Sequence, residues 1–125
     1  MTTPSDPTHP RLVFVPGMAC DADMWQAQIA ALSAAGLTAR WQPQVSLALA
    51  GGDSVQRMAQ ALLDETRGAL VICGASMGGI VAMEAARLAP ERLAGLALFG
   101  TNARPETAEM RGLREQAIAL YERPG

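Results

Sequence analysis

A chain of 125 residues, half of them apolar, falls in the size range of one domain and carries enough hydrophobic material for a core. Its formal charge of −2 comes from acidic and basic residues scattered along the chain, which leaves no basic stripe for nucleic acid and no polybasic segment for anionic lipid. No run reaches the roughly 18 apolar residues that would span a bilayer, and the start of the chain has no apolar signal core, so the simplest expectation is a cytoplasmic protein acting on small molecules. Cys20 and Cys73 read as free thiols, because disulfide frameworks belong to small secreted chains. One histidine and no short-spaced Cys or His cluster argue against a metal site, and nothing in the pattern calls for a cofactor.

Residues 1–10, with Pro4, Pro7 and Pro10 among small polar residues, predict a flexible lead-in. Leu12-Val13-Phe14-Val15, ending at Pro16-Gly17, suits a strand buried on both faces of a parallel sheet. From Asp23 the spacing turns helical, with Trp25, Ile29 and Leu32 on one face and Gly36 placed as a left-handed cap. Leu37 to Trp41 predicts a second strand, and Val45 to Gly52 a connection. Asp53 or Ser54 then offers an N-cap to a helix whose stripe is Val55, Met58, Ala59, Leu62 and Leu63. A third strand at Ala69 to Cys73, a helix at Met77 to Leu88, a turn at Pro90-Glu91-Arg92 and a fourth strand at Leu93 to Phe99 complete the alternation. Such an order implies βαβ units, a parallel sheet with helices on both faces. Pro105 to Tyr121 adds one more helix, with Met110, Leu113, Ala117 and Leu120 as its apolar positions.

Between the third strand and the next helix, Gly74-Ala75-Ser76-Met77-Gly78 fits G-x-S-x-G. Three fixed positions match by chance in roughly one chain of this length in twenty-five, so the flanking strand and helix carry more weight than the pattern. In that setting the serine sits on a strained strand-to-helix turn at a helix N-terminus, where backbone N–H groups favour negative charge. The small neighbours Gly74 and Gly78 allow the close approach of strand and helix. The competing reading is a non-catalytic α/β module in which the same glycines make only a structural turn.

The residues Val13-Phe14-Val15-Pro16-Gly17-Met18, followed by Asp21 and Trp25, resemble the oxyanion loop and first helix of α/β-hydrolases. The run from Gly74 through Gly78, Gly79 and Glu84 to Ala89-Pro90-Glu91-Arg92-Leu93 resembles their nucleophile elbow, helix and next strand. The likeness extends from Leu12 to Arg104 and is similar to the carboxylesterase and lactonase branch, including pimeloyl carrier-protein methyl ester esterases. The resemblance implies residues 11–104 as the amino-terminal part of the hydrolase core and 105–125 as the start of a cap. It implies Ser76 as nucleophile of a carboxylic ester or lactone hydrolase, backbone amides of Met18 and Met77 as the oxyanion hole, and Gly17, Gly74, Gly78 and Gly79 as structural glycines of the two loops. Pro16 departs from the histidine that many relatives place before the glycine. The triad order of this fold, Ser then Asp or Glu then His, puts the last two on loops after strands absent from this sequence. A fragment inactive alone is therefore expected, associating through an uncovered sheet edge. His9, ahead of the first strand, is expected to be a solvated residue at the wrong end of the sheet to serve as base. Asp21 and Asp23 read as loop and cap residues, Glu84 as solvated or ion-paired, and Met18, Met24, Met77, Met83 and Met110 as core or pocket lining. Acyl transfer to another acceptor and cofactor-free peroxidation are other chemistries of the same fold.

Overall fold

The computed structural model describes residues 9–124; the expected lead-in therefore lies, through residue 8, outside the described residues, as does Gly125. Four parallel strands form one sheet in the order β2-β1-β3-β4: β1 is Arg11–Val15, β2 Gln44–Val45, β3 Leu70–Ala75 and β4 Leu93–Phe99. The helices are α1 (Gln26–Ala34), α2 (Thr38–Trp41), α3 (Val55–Asp64), α4 (Met77–Leu88) and α5 (Ala108–Tyr121), with short 3-10 turns at Ala22–Trp25, Ala48–Gly51 and Pro90–Arg92.

The two faces of the sheet follow from the period-two alternation of the strands. Val13, Val15, Leu70 and Ile72 point to one face and bury against Ala59 and Leu62 of α3 and Val81, Ala82 and Ala85 of α4. Phe14 and Ala75 point to the other, where Trp25 stacks on Phe14 at 4.7 Å between ring centroids and Ile29 and Leu32 of α1 pack alongside. The continuous apolar runs of β1 and β3 are thus what a strand covered on both sides requires. Ser54 caps α3, its hydroxyl accepting the Arg57 N–H, and Arg92 closes the other end of that helix by donating to the carbonyls of Leu63 and Gly68 and to the Thr66 hydroxyl.

One element is corrected. Leu37 to Trp41 is not a strand: Thr38–Trp41 is a helical turn, closed by Gln42 in the left-handed region at φ 44°, and the strand beside β1 is Gln44–Val45. The apolar and β-branched content of Leu37-Thr38-Ala39 imitates a strand, yet Gly36 at φ 72° has just reversed the chain, and the backbone must turn again before reaching the sheet. Only after Pro43 does it run straight, and a proline is tolerated at the start of an edge strand. His9 also departs from expectation. It is half-buried, its ring packing edge-on to Trp41 at 4.8 Å and its Nε2 accepting the Arg40 Nε–H at 2.8 Å.

At the opposite side of the sheet β4 pairs only with β3. Leu96 and Leu98, in register with Ile72 and Gly74, remain 41% and 38% exposed on the α3–α4 face, and Phe99 is 53% exposed on the other. None of the α5 residues is buried, so this helix does not cover that edge.

Candidate active site

The site is built where β3 ends and α4 begins. Ser76 takes φ 54° and ψ −119°, a backbone conformation outside the regions that L residues ordinarily occupy. The turn directs the chain from Ala75 of β3 straight into Met77 of α4 and leaves Ser76 exposed at the head of a twelve-residue helix. Its hydroxyl does not cap that helix, so it is free to act outward.

The glycines explain how so sharp a turn is accommodated. A Cβ on Gly74 would stand 2.5 Å from the Gly78 carbonyl oxygen and 2.7 Å from the Gly79 Cα. One on Gly78 would run into the carbonyl oxygens of Val15 and Pro16, the latter at 2.5 Å. These obstacles are backbone atoms, so the first turn of α4 lies directly on the end of β1 only because residue 78 lacks a side chain. At Gly79 the place of a Cβ is taken by the Thr101 side chain.

That seating brings the loop after β1 to the serine. A Cβ on Gly17 would stand 3.5 Å from the Ser76 Cβ and 3.5 Å from the Ala75 carbonyl oxygen, and it would also lie 3.9 Å from the Cys20 Sγ. Gly17 to Cys20 form a tight turn in which the Cys20 N–H donates to the Gly17 carbonyl at 3.1 Å and Ala19 takes φ 59°. Among the described residues, neither the Met18 nor the Met77 amide donates to a backbone carbonyl. Met77 opens α4 directly after Ser76, and Met18 follows Gly17 in the turn that approaches it, so both amides belong to segments that meet at the serine.

The remaining residues singled out in the sequence sort cleanly. Asp21 caps the 3-10 turn Ala22–Trp25, its carboxylate accepting the Asp23 N–H. Glu84 pairs with Arg87 on α4 through bonds of 2.6 and 2.9 Å, which hold its carboxyl below the usual carboxylate range. Both cysteines are free thiols; Cys20 is exposed beside the loop, and burial raises the Cys73 thiol. Met77 and Met83 are half-buried, but Met18, Met24 and Met110 are 70%, 43% and 41% exposed and are not core residues. His9 lies ahead of β1, whose first residue Arg11 is in register with Leu70, whereas Ser76 follows the other end of β3. The five residues of β1 alone put roughly 16 Å of strand between them, against about 3 Å for a hydrogen bond. Two residues of the site were not found from the sequence, Phe99 and Thr101. The Phe99 carbonyl accepts the Ser76 N–H at 2.8 Å, and the Thr101 hydroxyl donates to the Ser76 carbonyl at 3.0 Å. The signal available was Gly79, a third glycine where G-x-S-x-G needs two.

A parallel sheet flanked by helices, with an exposed serine on a strained turn between strand and helix, defines an α/β-hydrolase arrangement. A model of the alpha/beta hydrolase family matches residues 12–124, and the chain belongs to that family. Among curated proteins it is similar to the pimeloyl-[acyl-carrier protein] methyl ester esterase of Aromatoleum aromaticum, at 36% identity over 106 residues, covering 80% of this chain and 42% of that protein. The enzyme of the same name from Photobacterium profundum is 38% identical over 72 residues, 57% of this chain and 28% of its own. Among solved structures, a thermophilic esterase from Thermogutta terrifontis, with malate bound, superposes with a TM-score of 0.69 at 30% identity over 94% of this chain and 46% of its own. The chain thus spans less than half the length of the relatives it matches. Each of these relatives is named as an esterase. No helix among the described residues is long and apolar enough to cross a membrane.

Proposed function

We propose that this chain carries the nucleophile and the oxyanion hole of a serine esterase, with Ser76 forming an acyl-enzyme. The observation that carries the reading is the exposed Ser76 at φ 54°, ψ −119° on the turn into α4, a strained conformation that a purely structural strand-to-helix link has no need to hold. In the proposed reaction the Ser76 oxygen bonds to the ester carbonyl carbon while its proton passes to a general base. The resulting oxyanion is held by the Met18 and Met77 amides. Collapse expels the alcohol with that proton, and water repeats the sequence to release the acid. The one histidine, His9, is at the far end of the sheet and engaged with Arg40. Base and acid are therefore contributed by sequence outside these 125 residues, a reading supported by the shorter span relative to the esterases it matches.

A small alkyl ester of a carboxylic acid is the substrate class to test first, since two relatives are named for a methyl ester; a lactone presents the same carbonyl chemistry. The chain's own contribution needs neither metal nor cofactor for these steps. Expressed from the complete coding sequence, the protein should hydrolyse short p-nitrophenyl esters, and Ser76→Ala should reduce turnover by at least the 10³-fold typical of a lost nucleophile. Undiminished hydrolysis in Ser76→Ala would overturn the assignment.

A further inference from the structure

We infer that Thr101 is a positioning residue that aims the Met77 amide at the reacting oxygen, a role resting on the reading of Ser76 as nucleophile. A residue held in a strained backbone conformation must be over-determined by its neighbours, and the neighbours of Ser76 come from the end of β4. The Phe99 carbonyl takes the Ser76 N–H at 2.8 Å, fixing the peptide plane before Ser76. The Thr101 hydroxyl lies 3.0 Å from the Ser76 carbonyl oxygen, on the peptide plane after it. Gly100, left-handed at φ 57°, turns the chain between these two contacts so that both reach the same residue.

The second contact has a consequence beyond holding the turn. The Ser76 carbonyl and the Met77 N–H belong to one planar trans peptide and point in opposite directions. Gripping the carbonyl from the β4 side therefore fixes where the Met77 N–H points, and donation to that carbonyl polarises the N–H on its far side. The Thr101 hydroxyl has one proton and two acceptors in reach, the Ser76 carbonyl at 3.0 Å and the Phe99 carbonyl at 3.2 Å; the nearer one is in the catalytic turn. The Gly79 and Ile80 amides donate to the same Ser76 carbonyl from within α4, at 3.0 and 3.3 Å, so the peptide plane is held from two sides. Gly79 completes the device, because the Thr101 side chain occupies the space its Cβ would need.

The test uses the protein expressed from its complete coding sequence and compares Thr101→Val, which keeps the shape and loses the hydroxyl, with Thr101→Ser, which keeps the hydroxyl. Removing one neutral hydrogen bond to a group that acts in the transition state should lower kcat for a p-nitrophenyl ester about fivefold to tenfold, with KM unchanged. Thr101→Ser should restore kcat to within about twofold of the parent, whereas a role in packing alone would move melting temperature rather than divide kcat from KM. Amide exchange across residues 74–79 should be faster in Thr101→Val and parental in Thr101→Ser. A parental kcat in Thr101→Val, or an equal loss in both variants, overturns the inference. If the valine variant does not fold, Thr101→Cys, a much weaker donor of similar size, should show the same fall in kcat, and a parental kcat there overturns it equally. The Ser76→Ala variant separates the two readings: hydrolysis surviving in it removes the nucleophile assignment, and the exchange measurement then decides on its own whether Thr101 holds the turn.

Discussion

Replacing Gly78 by valine tests whether the elbow is as tight as the structure makes it. The Cβ of any side chain at 78 would stand 2.5 Å from the Pro16 carbonyl oxygen and 2.8 Å from the Val15 carbonyl carbon, and closer still to the Val15 oxygen. Ordinary contact needs about 3.5 Å, so helix α4 and the end of β1 must part by roughly 1 Å. Both obstacles are backbone held in the sheet, and no side chain can rotate away. The cost belongs at the upper end for overpacked cores, about 3 kcal/mol. For a protein of about the relatives' length, more than twice these 125 residues, that lowers the melting temperature by roughly 6–12 °C. The same separation moves the Met18 loop from the Met77 amide, so ester hydrolysis should fall more than folding alone explains. Thermal unfolding by circular dichroism in the full-length protein reads the first effect and kcat at a permissive temperature the second. Gly112→Ala in α5, where a Cβ meets nothing within 4 Å, is the control and should be neutral or slightly stabilising. Normal melting in Gly78→Val would mean that no close helix–strand contact exists at the elbow and would refute the reasoning.

Exposed Cys20 should react with a maleimide well before Cys73, as mass spectrometry of the modified peptides would register. Burial raises the Cys73 thiol, so the folded protein keeps that proton to higher pH than the unfolded chain. The stability this contributes is present below the ordinary thiol value of about 8.5 and is lost as pH rises through the folded value, which Cys73→Ala should flatten in alkaline melting curves. The 125-residue chain alone should give a mixed α/β dichroism spectrum and elute as dimers or larger species in size-exclusion chromatography with light scattering. The ground is that Leu96, Leu98 and Phe99 lie open on a β4 edge that carries no charge. A monodisperse monomer at tens of micromolar would contradict this.

What the sequence made legible was governed by burial on two faces. β1, β3 and the amphipathic stripe of α3 are read correctly because each must satisfy a period of two or 3.6 against a real core, and Val13, Leu62 and Ile72 are fully buried. The glycine spacing around Ser76 is legible for the same kind of reason, since backbone contacts dictate it. The second strand was misplaced because β2 has only two residues, both half-buried, and carries no periodic signal; its position is set by the turns at Gly36 and Gln42. Thr101 escaped because a single hydroxyl 25 residues from Ser76 leaves no local pattern, and only the sheet register brings them together.

The most direct test of the central claim is the site of covalent capture by a fluorophosphonate. Applied to the protein expressed from its full coding sequence, followed by proteolysis and mass spectrometry, the probe should leave one phosphonyl adduct, on Ser76, and none in Ser76→Ala. In the 125-residue chain alone the same adduct should form slowly or not at all, because in the proposed reading the base that takes the serine's proton lies outside it. An adduct on any other residue of the full-length protein, or undiminished labelling of Ser76→Ala, would contradict the account.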